Sequence, residues 1–188
     1  GLTRVLKAAV PVKSNGDYAA VIEALDAARP NMVITVAPAQ IVGDFVRAFR
    51  EKGYRTPIMT PSYGNADVVC DVATVQHARG LGVAQVFPNI RNSTIPLVRR
   101  FQDDFRAHAP NDRKPSVLHF EGYVNAMVVL EGLKRTNGTP TREKLVQVLD
   151  NAQALDLGGF TVSYSKTKRS GSHFVDIGVV GDNCQLLY

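Results

Sequence analysis

The residues able to do chemistry are few and scattered along the 188-residue chain. The four histidines, His77, His108, His119 and His173, stand far apart, and no carboxylate or cysteine recurs at a fixed spacing around them. His119 opens a predicted helix beside Glu121, where it reads either as a capping or surface histidine or as a ligand contact. Asp103-Asp104 reads as a charge cluster on a helix surface rather than an acid/base pair. Ser62 lies between Pro61 and Tyr63, outside the Gly-x-Ser-x-Gly turn that exposes a nucleophile. Gly80-x-Gly82 precedes a strand, the reverse of the order in a dinucleotide-binding turn. A phosphate-binding loop and a zinc-protease helix motif are both missing, so no nucleophile, base and oxyanion donors assemble. These residues predict neither catalysis, nor a metal site, nor a cofactor. Cys70 and Cys184 lack zinc-ligand spacing. They are either a disulfide, if the compartment is oxidising, or two buried thiols acting as small hydrophobes.

The elements that must position any site follow from the hydrophobic periodicity. Val5 to Val12 reads as a strand. Asp17 caps a helix with Val21, Ile22 and Leu25 on its apolar side, ended by Pro30 and Asn31. Met32 to Val36 is a short β-branched run of the kind found in buried parallel strands. Ile41, Val42, Phe45, Val46 and Phe49 then line one face of a helix that Gly53 stops. Pro57 to Thr60 reads as a strand and Pro61 to Asn65 as a turn. A helix from Ala66 to Ala78 and a strand from Leu81 to Phe87 follow. Repeated strand-helix units predict an α/β fold, with a parallel sheet flanked by helices.

After Pro88 and Asn89 the pattern turns helical. Ser93 or Thr94 caps a helix with Pro96 near its start and Val98, Phe101 and Phe105 on one face. A long helix runs from Val117 to Arg135, and Pro140-Thr141 opens another. Strands return at Gly159 to Tyr164, Phe174 to Val180 and Gln185 to Leu187, with a hairpin turn at Gly181-Asp182-Asn183. The later helices have almost no strands of their own to cover. Either they pack on the first sheet, or their sheet lies in a part of the polypeptide outside this sequence.

The net charge of +5 does not single out nucleic acid, because the basic residues are dispersed over helix faces and turns instead of gathered on one element. No apolar run reaches the roughly 20 residues that span a bilayer. Gly1-Leu2-Thr3-Arg4 carries no signal-peptide pattern, which a mature exported chain would have lost.

Five segments in order over almost the whole chain carry a family likeness. They are Ala27 to Ile34, Phe45 to Tyr54, Phe120-Glu121-Gly122-Tyr123, Thr141 to Leu145, and Asp156 to Ser165 with Gly171 to Asp176. Together they resemble the C-terminal portion of type I periplasmic binding proteins of the branched-chain amino-acid (leucine/isoleucine/valine) ABC transporter family. The resemblance implies a periplasmic protein with two α/β lobes, a ligand cleft between them and three crossing strands. Residues 1–86 would form the second-lobe α/β part and 87–89 a hinge crossing. Residues 90–160 would be late helices of the first lobe, 161–165 a second crossing, and 166–188 the terminal strands of the second lobe. Cys70 and Cys184 would then share a lobe. The implied partners are a small-molecule ligand, a membrane ABC permease and the remaining first-lobe segment of the same polypeptide. No cofactor or nucleic acid is implied. A ligand-sensing domain of a receptor or regulator would share the fold, as would an α/β enzyme.

Small solutes bind at the carboxyl ends of parallel strands and at helix N-termini. Those positions are the loops after Val36, with Ala37, Pro38 and Gln40, and after Thr60, with Ser62, Tyr63 and Asn65. Tyr63 would supply a wall and a hydroxyl and Ser62 a hydrogen bond, although Pro-Ser-Tyr-Gly is also ordinary turn chemistry. Leu118 and His119 would border the cleft from the other lobe. Leucine-binding members resembling this chain carry an acidic residue at the place of Ser62/Tyr63 to pair with the ligand's ammonium. Here no carboxylate lies between Arg55 and Asp67. The expectation is therefore a small carboxylate or an amino-acid-like ligand, and the missing ammonium partner favours an aromatic or aliphatic carboxylate without an α-ammonium.

Overall fold

A computed structural model describes residues 3–10 and 16–188. In chain order the elements are α1 (Ala19–Ala28), β1 (Val33–Ile34), α2 (Ala39–Glu51), β2 (Ile58–Pro61), α3 (Ala66–Ala73), α4 (Val75–Ala78) and β3 (Gly82–Gln85). They continue with α5 (Pro96–His108), α6 (Val117–Lys134), α7 (Arg142–Asp150), β4 (Leu155–Asp156), β5 (Thr161–Val162), β6 (Asp176–Val180) and β7 (Leu186–Leu187). A single 3-10 turn, Ser62–Gly64, links β2 to α3. The chain divides into one unit of residues 1–85 and 176–188 and another of residues 86–175. Residues 166–175 thus belong to the second unit.

The first unit is built on a five-stranded sheet ordered β1-β2-β3-β6-β7. β1, β2 and β3 are parallel, and β6 and β7 join antiparallel. Alternation sends Ile58, Val83 and Val180 into the core beside Val42, Val46 and Phe49 of α2. Each such fully buried side chain contributes about 1.5–3 kcal/mol. α1 begins where Asp17 Oδ1 accepts from Ala19 N (3.0 Å) and ends where Arg29 turns left-handed at φ 44°. Gly53, at φ 88°, follows the end of α2. Gly43 lets α2 lie directly on α3, since a Cβ there would stand 2.7 Å from Val72 Cβ. Arg47 Nη1 donates to Val72 O (2.9 Å), tying α2 to the C-terminal end of α3. Cys70 and Cys184 form a disulfide with Cα atoms 6.2 Å apart, joining α3 to the turn between β6 and β7. This settles the pair in favour of the bridge.

The second unit packs α5 and α6 around Leu97, Phe101, Phe120, Val124 and Phe160. Phe101 and Phe120 meet at 5.0 Å between ring centroids and Phe87 reaches Phe160 at 5.8 Å. Tyr123 Oη donates to Asp104 Oδ2 (2.6 Å) and joins the two helices. β4 and β5 pair antiparallel across a turn in which Asp156 Oδ1 accepts from Gly158 N and Gly159 N (2.9 and 2.8 Å). Those two bonds hold the Asp156 carboxyl below the usual carboxylate range. α6 buries one apolar face and leaves the other mixed, with Glu121 and Asn125 exposed among apolar residues. Phe120, Val124, Met127 and Val128 are buried, while Leu118, Val129 and Leu130 on other faces are exposed.

Three expectations are corrected, and one ladder is added. Residues 5–10 form no strand, and residues 11 and 12 lie outside the described residues. Leu6 and Val10 still pack on the core, but side-chain anchoring makes no ladder without a neighbouring strand to close it. The expected helix from Ala66 to Ala78 breaks at Thr74, at φ 68° and ψ 153°, into α3 and α4. Neither Ser93 nor Thr94 caps α5. Thr94 bonds Asn92 instead (2.6 Å), and Leu97 N donates to Gly158 O (2.9 Å) in place of a side-chain cap. The β4–β5 ladder was not expected at Leu155, where the short apolar pattern gave no strand signal.

Candidate ligand site

Parallel β1 and β2 deliver their following loops to the same carboxyl edge of the first unit's sheet. The loop after β1 passes through Ala37 and Pro38 into α2. Pro38 is the N-cap residue and its side chain makes no capping hydrogen bond. The first N–H groups of α2 thus have no acceptor from the N-cap side chain, and Gln40 beside them is exposed. Such a terminus suits an anion or a carboxylate. The turn after β2 presents Tyr63, which is 45% exposed, and partly buried Ser62. Asn65 Oδ1 accepts from Asp67 N (3.2 Å) and caps α3, so the N-terminus of α3 is already satisfied. Ala37, Pro38, Gln40, Ser62, Tyr63 and Asn65 are thus brought to one edge.

Beneath this edge lie two polar side chains that the sequence reading passed over. Thr60, on β2, and Gln85, at the end of β3, are 1% and 2% exposed. Thr60 Oγ1 and Gln85 Oε1 are buried with no hydrogen-bond partner. Thr60 is in register with Val83, two residues before Gln85, so both side chains occupy the same buried face. Gly64 sits directly over Thr60: a Cβ on it would stand 2.5 Å from Thr60 Oγ1. The available signal was a polar residue at an inward register in each of two apolar strands.

Leu118 and His119 lie in the second unit, at the start of α6. Leu118 is exposed. His119 closes a capping box: Ser116 Oγ accepts from His119 N (3.4 Å) and His119 Nδ1 accepts from Ser116 N (3.2 Å). Its ring also meets Phe105 edge-on at 5.2 Å. A separate groove of about 420 Å³ in this unit is lined by Phe87, Val124, Phe160, Tyr164 and Phe174 among others, and includes none of the expected site residues. Among the described residues no group of three or more His, Cys, Asp or Glu could hold a metal ion, and no helix is long and apolar enough to cross a membrane.

The sequence matches the family model for periplasmic binding proteins over residues 1–184. The chain belongs to that family. A substrate-binding periplasmic protein from Ralstonia solanacearum superposes with a TM-score of 0.82 at 30% identity, covering 92% of this chain and 49% of that one. An extracellular ligand-binding receptor from Verminephrobacter eiseniae gives 0.82 at 29% identity, covering 90% and 48%. A branched-chain amino acid ABC transporter structure from Thermus thermophilus with bound valine shares the fold, with a TM-score of 0.77 at 15% identity over 92% and 48%. The chain spans about half the length of these structures. No curated protein matches it.

Proposed function

We propose that this chain is part of an extracytoplasmic solute-binding protein of an ABC importer, acting in the periplasm by binding and not by catalysis. The carrying observation is the convergence of the Ala37–Gln40 and Ser62–Asn65 loops on one carboxyl sheet edge, beside a helix N-terminus that no side chain caps. Family membership supports a binding role. The uncapped N–H groups of α2 favour a carboxylate. Ser62 and Tyr63 offer hydroxyls and an aromatic wall, but no charge to neutralise an ammonium. The ligand is therefore a small aromatic or aliphatic carboxylate, held at this edge and enclosed when the other lobe closes by a hinge. Residues 87–89 are a hinge crossing, and Leu118 and His119 are the first lobe's contribution. A membrane permease receives the closed form. The rest of the polypeptide covers the exposed Val129 and Leu130 of α6. Calorimetric titration of the full-length gene product with isovalerate, benzoate, leucine and valine tests the role. Saturable binding of a carboxylate supports it; no binding of any of the four counts against it.

A further inference from the structure

An unpaired buried polar atom is disfavoured, because it has given up water without gaining a partner. Two occur together in the first unit, Thr60 Oγ1 and Gln85 Oε1, both on the buried face at the carboxyl ends of adjacent strands. They are not placed at random in the sheet. Thr60 supports the turn that carries Ser62 and Tyr63, and Gly64 rests so closely on it that no side chain fits between. A turn seated on an unsatisfied floor has a less favourable free energy than one whose floor is paired. Any ligand that draws the turn into an arrangement where its backbone meets those oxygens gains that difference as binding energy.

Resting on the solute-binding role above, we propose that Thr60, assisted by Gln85, is a positioning residue. It keeps the Ser62–Asn65 turn in a state that ligand engagement relieves, and so contributes to affinity without touching the ligand. The hydroxyl then lowers the stability of the ligand-free protein and raises its affinity, two effects of opposite sign. A hydroxyl with a merely structural role would not give that pair of effects.

The test compares the full-length protein with Thr60→Val, which keeps the shape and removes the hydroxyl, and with Thr60→Ser, which keeps the hydroxyl. The readouts are the thermal midpoint without ligand and calorimetric titration with isovalerate, benzoate, leucine and valine. The expected result is a higher midpoint for Thr60→Val, with affinity for the bound probe lower by about tenfold, or 1.4 kcal/mol. Thr60→Ser recovers wild-type affinity. Unchanged affinity in Thr60→Val overturns the inference and leaves the solute-binding role standing. A wild-type protein that binds none of the four probes counts against that role itself. In that case the midpoint decides, and a Thr60→Val protein no more stable than wild type overturns the inference as well.

Discussion

Tyr123 shows how much one polar contact can be asked to do in a small core. Its hydroxyl donates to Asp104 and is pushed up to about 12, first by burial and then by the neighbouring carboxylate. An unfolded tyrosine ionises near pH 10. The folded state therefore favours the protonated form, so the contribution is full below about pH 10 and is lost as the pH rises through about 12. Denaturant unfolding of wild type and Tyr123→Phe should show a constant difference up to about pH 9 and a shrinking one above pH 10. An equal difference at about pH 8 and pH 11 would contradict the assignment. Residues of the candidate site were legible to different degrees. Ser62, Tyr63, Ala37, Pro38 and Gln40 could be named because they follow parallel strands. Thr60 and Gln85 could not, because their significance lies in missing hydrogen bonds, which no residue type announces.

At the scale of elements, α3 is the most constrained piece of the first unit. It is pressed on α2 at Gly43, tied to it by Arg47, and bonded through Cys70 to Cys184 beyond the whole second unit, 114 residues away. A bridge closing so long a loop removes much unfolded-chain entropy. Replacing both cysteines by serine should cost about 2–5 kcal/mol in denaturant unfolding, and reducing the wild-type protein should cost a similar amount. A loss under about 1 kcal/mol would show that the β3–β6 pairing alone holds the C-terminal strands. The strongly periodic α2 was legible almost to its ends, as was α6 from its length and apolar content. The break at Thr74 was not, because a threonine at positive φ is held there by its surroundings and neither glycine nor proline marks it. Residues 5–10 of the strand expected at Val5 to Val12 form none for a different reason: the apolar pattern describes side chains, whereas a strand is made by a neighbour's backbone.

At the scale of the molecule, the chain is one α/β unit with a helical unit inserted in its sequence, and it spans about half the length of the structures it resembles. Among the described residues the second unit's ladder is the two-stranded β4–β5. On the outer side of α6, Val129 and Leu130 are 42% and 48% exposed. Surface substitutions change stability by about 0.5 kcal/mol or less. Leu130→Glu should stay within that range in the 188-residue chain but cost more than about 2 kcal/mol in a longer polypeptide whose added segment covers this face as proposed. Equal, small effects in both would mean that α6 is not covered. The proposed solute-binding edge holds a carboxylate and offers no partner to an ammonium. Competition calorimetry on the full-length protein tests it most directly, by titrating isovalerate and valine, which differ in the ammonium group, into the same preparation. The predicted result is isovalerate binding at least about tenfold tighter than valine. Tight valine binding with no measurable isovalerate binding would contradict it.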